Sequence, residues 1–308
     1  MKYNILNGTQ LEISELGFGC SSYWAKPEFP EEKAIELLEQ AFEQGINYFD
    51  TGASYANGNA EKRLGKFLKL VDNTKVVIST KAGTSSASLG NAVKDFSVDG
   101  VLSSVEGSIE RLGRNWIDIL FLHSPKVQDL SDELVGALEG LITTGKVKYI
   151  GVHSSDKSVV DFALKYDVFS IFLSDYNVMR CDFEPTIMKI NSKGKGFIAA
   201  TPLAQMLFTN KVFIPKNLKD IWYLARALKN RRKQLFNGFK LRFINTYKSF
   251  TAEEIALNFV LDNECVSAAV FGTTQKKNLN KNIIALKSNV PKSIFEKIKS
   301  TKLPYKEC

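Results

Sequence analysis

The sequence predicts an α/β fold in which eight strands alternate with helices and close into a (β/α)8 TIM barrel, its floor plugged by an N-terminal β-hairpin. Short apolar runs of strand length recur along the chain. Between most of them, apolar residues are spaced by three and four, which lines one face of a helix. No Pro/Gly/Ser-rich linker divides the 308 residues, a length ordinary for one barrel, so a single domain over 1–308 is expected.

At the N-terminus, residues 3–6 and 10–13 flank Asn7-Gly8, a turn pair suited to a tight hairpin. The strand candidates are 16–20, 48–50, 76–81, 117–123, 148–153, 170–176, 197–201 and 267–271. Helical spacing is clearest at Ile35, Leu38 and Phe42 before Gly45, at Val98, Leu102, Val105, Ile109 and Leu112 before Gly113, and at Leu134, Leu138 and Leu141 before Gly145. Each glycine suits a left-handed helix end. The connection from 203 to about 251 is long enough to carry a helix of its own.

Composition narrows the function classes. No run of about 18 apolar residues is present to cross a membrane. Met1-Lys2-Tyr3-Asn4 lacks a secretory apolar stretch. Cys20, Cys181, Cys265 and Cys308 are scattered without metal-like spacing, so reduced thiols in a cytoplasm are expected. The net charge of +8 is concentrated between Lys211 and Lys248, where Lys216, Lys219, Arg226, Lys229, Arg231, Arg232, Lys233, Lys240 and Arg242 alternate with Trp222, Tyr223, Phe236, Phe239 and Phe243. Such a mixture suits nucleic acid. Ile221, Leu224, Leu228 and Leu235 instead recur at roughly helical spacing, which makes the basic residues a solvated face; neither nucleic acid nor membrane is an expected partner.

In a barrel of this kind the chemistry gathers at the carboxyl ends of the strands. Asp50 ends the second strand, Lys81 the third and His123 the fourth, while Tyr55 comes after Asp50 in the same loop. Four titratable groups on three successive strand ends form a candidate site.

The segments "LGFGCSS", "FDTGASYANGNAEKRLGKFL", "STKAG", "DILFLHSP", "GKVKYIGVHS" and "GTTQKKNLNKNI" stand at strands one to five and eight. In this order and spacing they make the chain resemble the aldo-keto reductase family over nearly its whole length. The resemblance implies that Asp50, Tyr55, Lys81 and His123 form a catalytic tetrad for hydride exchange between NADPH and a carbonyl. It further implies cofactor contacts from Gly19, His153, Ser154, Tyr176, Pro202, Leu203, Gly272, Thr273, Thr274, Asn278 and Asn282, with Asn282 on the adenine.

The quartet also makes chemical sense without a family. Hydride addition leaves negative charge on the carbonyl oxygen, so a donor about 3 Å away must release a proton. Tyrosine is a reluctant acid, and an adjacent Lys81 ammonium is expected to lower its pKa, with Asp50 holding that lysine charged. His123 donates to the substrate oxygen or shares the tyrosine's proton. A Schiff-base role for Lys81 is disfavoured, because a neighbouring carboxylate suppresses the free amine.

Gly272-Thr273-Thr274 before a helix offers backbone N–H groups to phosphate. Asn278 replaces an arginine common among relatives, so Lys276 and Lys277 are expected to hold the 2′-phosphate of NADPH, with NAD the alternative. Other departures from the family pattern are His153-Ser154 for Ser-Asn, Leu173 for an amide-binding glutamine and Ala200 for a stacking tyrosine. They motivate a second reading, a nicotinamide-nucleotide-binding sensor or accessory subunit with slow turnover. Tyr23 and Trp24 are expected to line a substrate pocket open to small aldehydes, sugars or sugar-derived carbonyls, with the long connection after strand seven as its roof.

Overall fold

The structure, a computed structural model, describes residues 1–86, 92–214, 221, 224, 225, 227–229 and 231–303. Strands β1 (Tyr3–Ile5) and β2 (Glu12–Ser14) pair antiparallel. The barrel strands are β3 (Leu16–Gly19), β4 (Tyr48–Asp50), β5 (Val77–Ala82), β8 (Ile117–His123), β9 (Val147–His153), β10 (Phe169–Asp175), β11 (Gly196–Ala200) and β12 (Ala268–Phe271). They run parallel in chain order, and β12 closes on β3. A separate antiparallel hairpin, β6 (Thr84–Ser86) with β7 (Ala92–Lys94), interrupts the connection after β5. The boundaries of the eight barrel strands lie within one residue of those predicted; β2 starts two residues later than expected, and the β6–β7 hairpin is not anticipated by the sequence pattern.

The helices are α1 (Ser22–Ala25), α2 (Glu31–Glu43), α3 (Asn59–Leu68), α4 (Val98–Leu112), α5 (Asp132–Thr143), α6 (Lys157–Ala163), α7 (Glu184–Ser192), α8 (Asn210–Phe213), α9 (Arg232–Lys240), α10 (Ala252–Leu261), α11 (Lys276–Ala285) and α12 (Lys292–Ser300). Helix α4 shows the expected punctuation. Ser97 accepts a hydrogen bond from the Gly100 amide at its start, and Gly113 ends it at φ 64° while donating to the Ile109 and Glu110 carbonyls.

Period-two alternation sorts the strand side chains into two cores. Phe18, Phe49, Ile78, Leu120, Val152, Phe172 and Phe197 face the helical layer. Tyr48, Ile119, Phe121, Ile171, Leu173, Ile198 and Val270 fill the barrel interior, joined by Leu6 and Ile13 of the hairpin, so the floor is plugged as predicted. Space for the Tyr48 ring depends on Gly17, where an added Cβ would lie 2.5 Å from the ring.

On the long connection after β11 the basic residues are solvated as expected, with Lys229, Arg231, Arg232, Lys233 and Lys240 exposed. Helical spacing there predicts a buried face, yet Ile221 and Leu228 are 52% and 48% exposed, and of the four apolar residues only Leu235 is fully buried. Burial of a helical stripe depends on a surface to cover it, which spacing does not encode. Trp222, Tyr223, Lys216, Lys219, Arg226 and Cys308 lie outside the described residues. Among those described, no helix is long and apolar enough to cross a membrane.

Candidate active site

The same alternation fills the barrel with Tyr48, Phe121 and Leu173 and then, at the carboxyl ends, turns Gly19, Asp50, Lys81, His123, His153, Asp175 and Ala200 toward the axis. Lys81 is 1% exposed, and its ammonium donates to both Asp50 carboxylate oxygens at 2.7 Å and to the Thr51 carbonyl at 2.6 Å. Behind this pair, Ser79 Oγ donates to Asp50 Oδ1 at 2.7 Å and shares a hydrogen bond of 2.8 Å with the Tyr48 hydroxyl. The carboxylate is therefore held on two sides, and it can aim the ammonium.

Tyr55 reaches the mouth through a turn closed by its own N–H to the Gly52 carbonyl, followed by left-handed Ala56, Asn57 and Gly58. Its ring lies 4.9 Å from the Lys81 ammonium and 5.9 Å from the His123 ring, perpendicular to it at 86°. His123 and His153 stand opposite each other in the β8–β9 register, stacked at 5.2 Å. The tetrad expected from sequence converges in space.

Burial pushes the Tyr55 phenol up; the Lys81 charge works against this, Asp50 adds to the rise, and the net pKa lies above that of an ordinary phenol. Lys81 acts downward on the phenol as expected, but it only moderates a larger desolvation effect that the sequence did not reveal. For Lys81 itself burial acts downward, but Asp50 and Tyr55 overcome it, so the ammonium is stabilised. Burial, then Lys81 and Lys94, lower the His123 pKa to about 3. Burial first, then Lys81 and His123, push His153 well below its ordinary value. Both imidazoles are neutral, and both keep a buried Nδ1 without a partner.

Several site expectations do not hold. Tyr176 is fully buried in the helical layer, its ring 5.7 Å from Phe259 and its hydroxyl 3.5 Å from Glu184 and 3.4 Å from Asn263; the pleat that turns Asp175 inward turns Tyr176 outward. Ser154 is likewise turned out beside inward His153, its hydroxyl accepting from the Asp156 amide. Trp24 is 1% exposed because α1 points it into the core, with its indole N–H on the Ala34 carbonyl and the Phe18 ring 6.1 Å away. Tyr23, by contrast, is exposed with its ring packed on Phe29, a position compatible with the expected pocket wall. Sequence reading missed Tyr48 and Ser79, although both lie two residues before a tetrad member on its own strand and so share its face. It also missed Asp175, which accepts a hydrogen bond of 2.8 Å from the Thr201 hydroxyl at the mouth.

The donor set fits the phosphates of a nicotinamide dinucleotide. Gly19 and Gly272 approach so closely that a Cβ on Gly272 would lie 3.0 Å from the Gly19 carbonyl oxygen, leaving bare backbone at that rim. Helix α11 starts beyond Thr273, whose Oγ accepts from the Gln275 amide at 3.1 Å, and no side chain caps its first turn. Lys276, Lys277 and Asn278 are exposed there, with Thr273 and Thr274 half-buried. Lys276 pairs with Glu36 at 2.9 Å. Asn282 lies on the buried side of α11; Pro202 and Leu203 come after β11 beside left-handed Thr201.

A parallel barrel with a lysine, carboxylate, tyrosine and histidine gathered at its carboxyl mouth has the architecture of the barrel enzymes. The chain is a member of the aldo/keto reductase family, whose description matches residues 15–302. Members of this family are oxidoreductases that act on carbonyl compounds with nicotinamide cofactors. The chain is similar to probable aldo-keto reductase 1 of Glycine max, 29% identical over 91% of this chain and 83% of that protein. It is equally similar to L-galactose dehydrogenase of Arabidopsis thaliana, 29% identical over 91% and 86% of the two chains. The holo form of aldo-keto reductase AKR11C1 from Bacillus halodurans shares the fold, with a TM-score of 0.83 and 24% identity over 100% of this chain and 98% of that one.

Proposed function

We propose that this protein is an NADPH-dependent carbonyl reductase, built as one barrel domain over 1–308 and working in a reducing cytoplasm, where its free cysteines suit the redox state. The observation that carries the reading is the buried Lys81–Asp50 pair beneath the Tyr55 ring. The similarity to a plant L-galactose dehydrogenase favours sugar-type or other small polar aldehydes and ketones.

Bound NADPH supplies the hydride. The work of the protein is to place and neutralise the charge that then develops on the carbonyl oxygen. Tyr55 gives that oxygen its proton. As the phenol becomes phenolate, the Lys81 ammonium next to it offsets the new charge, and Asp50 keeps Lys81 both protonated and fixed. His123 is neutral at working pH, so it acts as a hydrogen-bond donor that orients the oxygen and not as a charged acid. Gly272, Thr273 and the first turn of α11 would hold phosphate, and Lys276 and Lys277 would serve the 2′-phosphate. Inward-facing His153 stands where the family pattern has a serine and would face the reacting end of the cofactor.

The test is turnover. Purified protein with NADPH and a panel of small aldehydes and sugars should consume cofactor, and Tyr55→Phe should cut kcat by about 10²- to 10⁴-fold. Inactivity on every carbonyl, or an unchanged rate in Tyr55→Phe, would overturn the assignment.

A further inference from the structure

Lys94 stands at the barrel mouth on β7, the return strand of the hairpin inserted after β5. Its ammonium donates to the carbonyl of Ser124, the residue after His123, and Thr84 on the facing strand donates to the His123 carbonyl at 3.0 Å. These two bonds pin the hairpin over the end of β8, one residue from the imidazole that faces Tyr55. Ser124 adopts φ 56°, a left-handed conformation uncommon for serine and frequent at ligand sites.

The two lysines of the mouth differ in how their charge is used. The ammonium of Lys81 is buried against Asp50. That of Lys94 is exposed, and among the described residues it forms no ion pair. An ammonium has three N–H donors, and Ser124 occupies one. The remaining donors and the full charge stay open to a ligand. The field of Lys94 reaches both His123 and His153, which marks it as part of the same electrostatic environment. Asp175, held by Thr201, bears on Tyr55 from β10 and gives the mouth an acidic counterpart. The mouth is therefore polarised, and a substrate with one charged end would enter in one orientation.

Resting on the carbonyl-reductase reading, we propose that Lys94 recognises an anionic group, a carboxylate or a phosphate ester, on the carbonyl substrate and so selects charged aldehydes over neutral ones. A neutral hydroxyl would gain only an ordinary hydrogen bond at Lys94, whereas an anion gains a charge-assisted one. The net charge of +8 adds long-range attraction of the same sign.

The experiment compares kcat/KM for succinic semialdehyde with butanal, and for glyceraldehyde 3-phosphate with glyceraldehyde, in wild type, Lys94→Met and Lys94→Arg. Wild type should favour at least one anionic member by about tenfold, Lys94→Met should bring that ratio toward one, and Lys94→Arg should keep part of it. Which pair shows the preference tells carboxylate from phosphate. Equal rates in wild type, or a preference that survives Lys94→Met, would refute the proposal. A second readout does not need turnover. The chain has only two histidines, so their imidazole NMR signals report directly on the mouth during titration with succinate or glycerol 3-phosphate. Anion binding that weakens about tenfold in Lys94→Met supports Lys94 even if no carbonyl is reduced; absent or undiminished binding overturns it.

Discussion

The ammonium of Lys81 lies 2.7 Å from both carboxylate oxygens of Asp50, with the lysine 1% and the aspartate 9% exposed at their side chains. A pair this buried is a tuning device more than a source of stability, since the desolvation of two charges consumes most of their attraction. Removing one partner is another matter.

Lys81→Met should leave Asp50 charged and unpaired, and should cost about 3–5 kcal/mol in urea unfolding. Adding Asp50→Leu to it should restore part of that loss, because no buried charge is then stranded. A double variant as unstable as the sum of the single ones would show that the two residues do not act as a pair.

Both histidines make stability depend on pH in one direction. His123 is held near 3 and His153 well below its ordinary value, so between about 3 and 6.5 the unfolded chain binds protons that the folded one refuses. Their contribution is complete above about pH 6.5 and declines as the pH falls, by at most about 1.4 kcal/mol per pH unit for each histidine. Denaturant unfolding between pH 7 and 5, a range above most carboxylate titration, should show this slope. It should flatten in His123→Gln/His153→Gln.

Glu36 holds Lys276 at 2.9 Å, with both side chains about half exposed. The carboxylate competes for the cation expected to serve the 2′-phosphate of NADPH. Glu36→Gln should therefore raise the preference for NADPH over NADH a few-fold, an effect on the scale of one exposed pair. Lys276→Ala/Lys277→Ala should abolish the preference. Fluorescence titration with each cofactor measures both, and an NADPH preference that outlasts loss of the two lysines would place the 2′-phosphate elsewhere.

Gly17 leaves the space in which the Tyr48 ring lies. In Gly17→Ala the new methyl would sit 2.5 Å from that ring, forcing Tyr48 away from Ser79 and loosening the support of Asp50. Overpacking of this kind costs about 1–3 kcal/mol. Both melting temperature and kcat should fall, and an unaltered kcat would show that Tyr48 does not position the carboxylate.

The order of the barrel strands and the four candidate positions at their ends were legible in the sequence, because strand and helix periods are local and each strand end is marked by the turn residues just beyond it; the β6–β7 hairpin was not. The quoted motifs around Asp50, Tyr55, Lys81 and His123 also fall within short stretches of chain. Other features depended on the register between strands far apart in sequence. It decided that His153 stacks on His123 and that Tyr48 and Ser79 brace Asp50, whereas the pleat within each strand turns Tyr176 and Ser154 away from the mouth. Packing decided that Trp24 is core and that Ile221 and Leu228 are exposed. The balance between desolvation and charge that leaves the Tyr55 pKa raised was fixed there too, because burial is a property of everything that surrounds a side chain, and a sequence states only its neighbours along the chain.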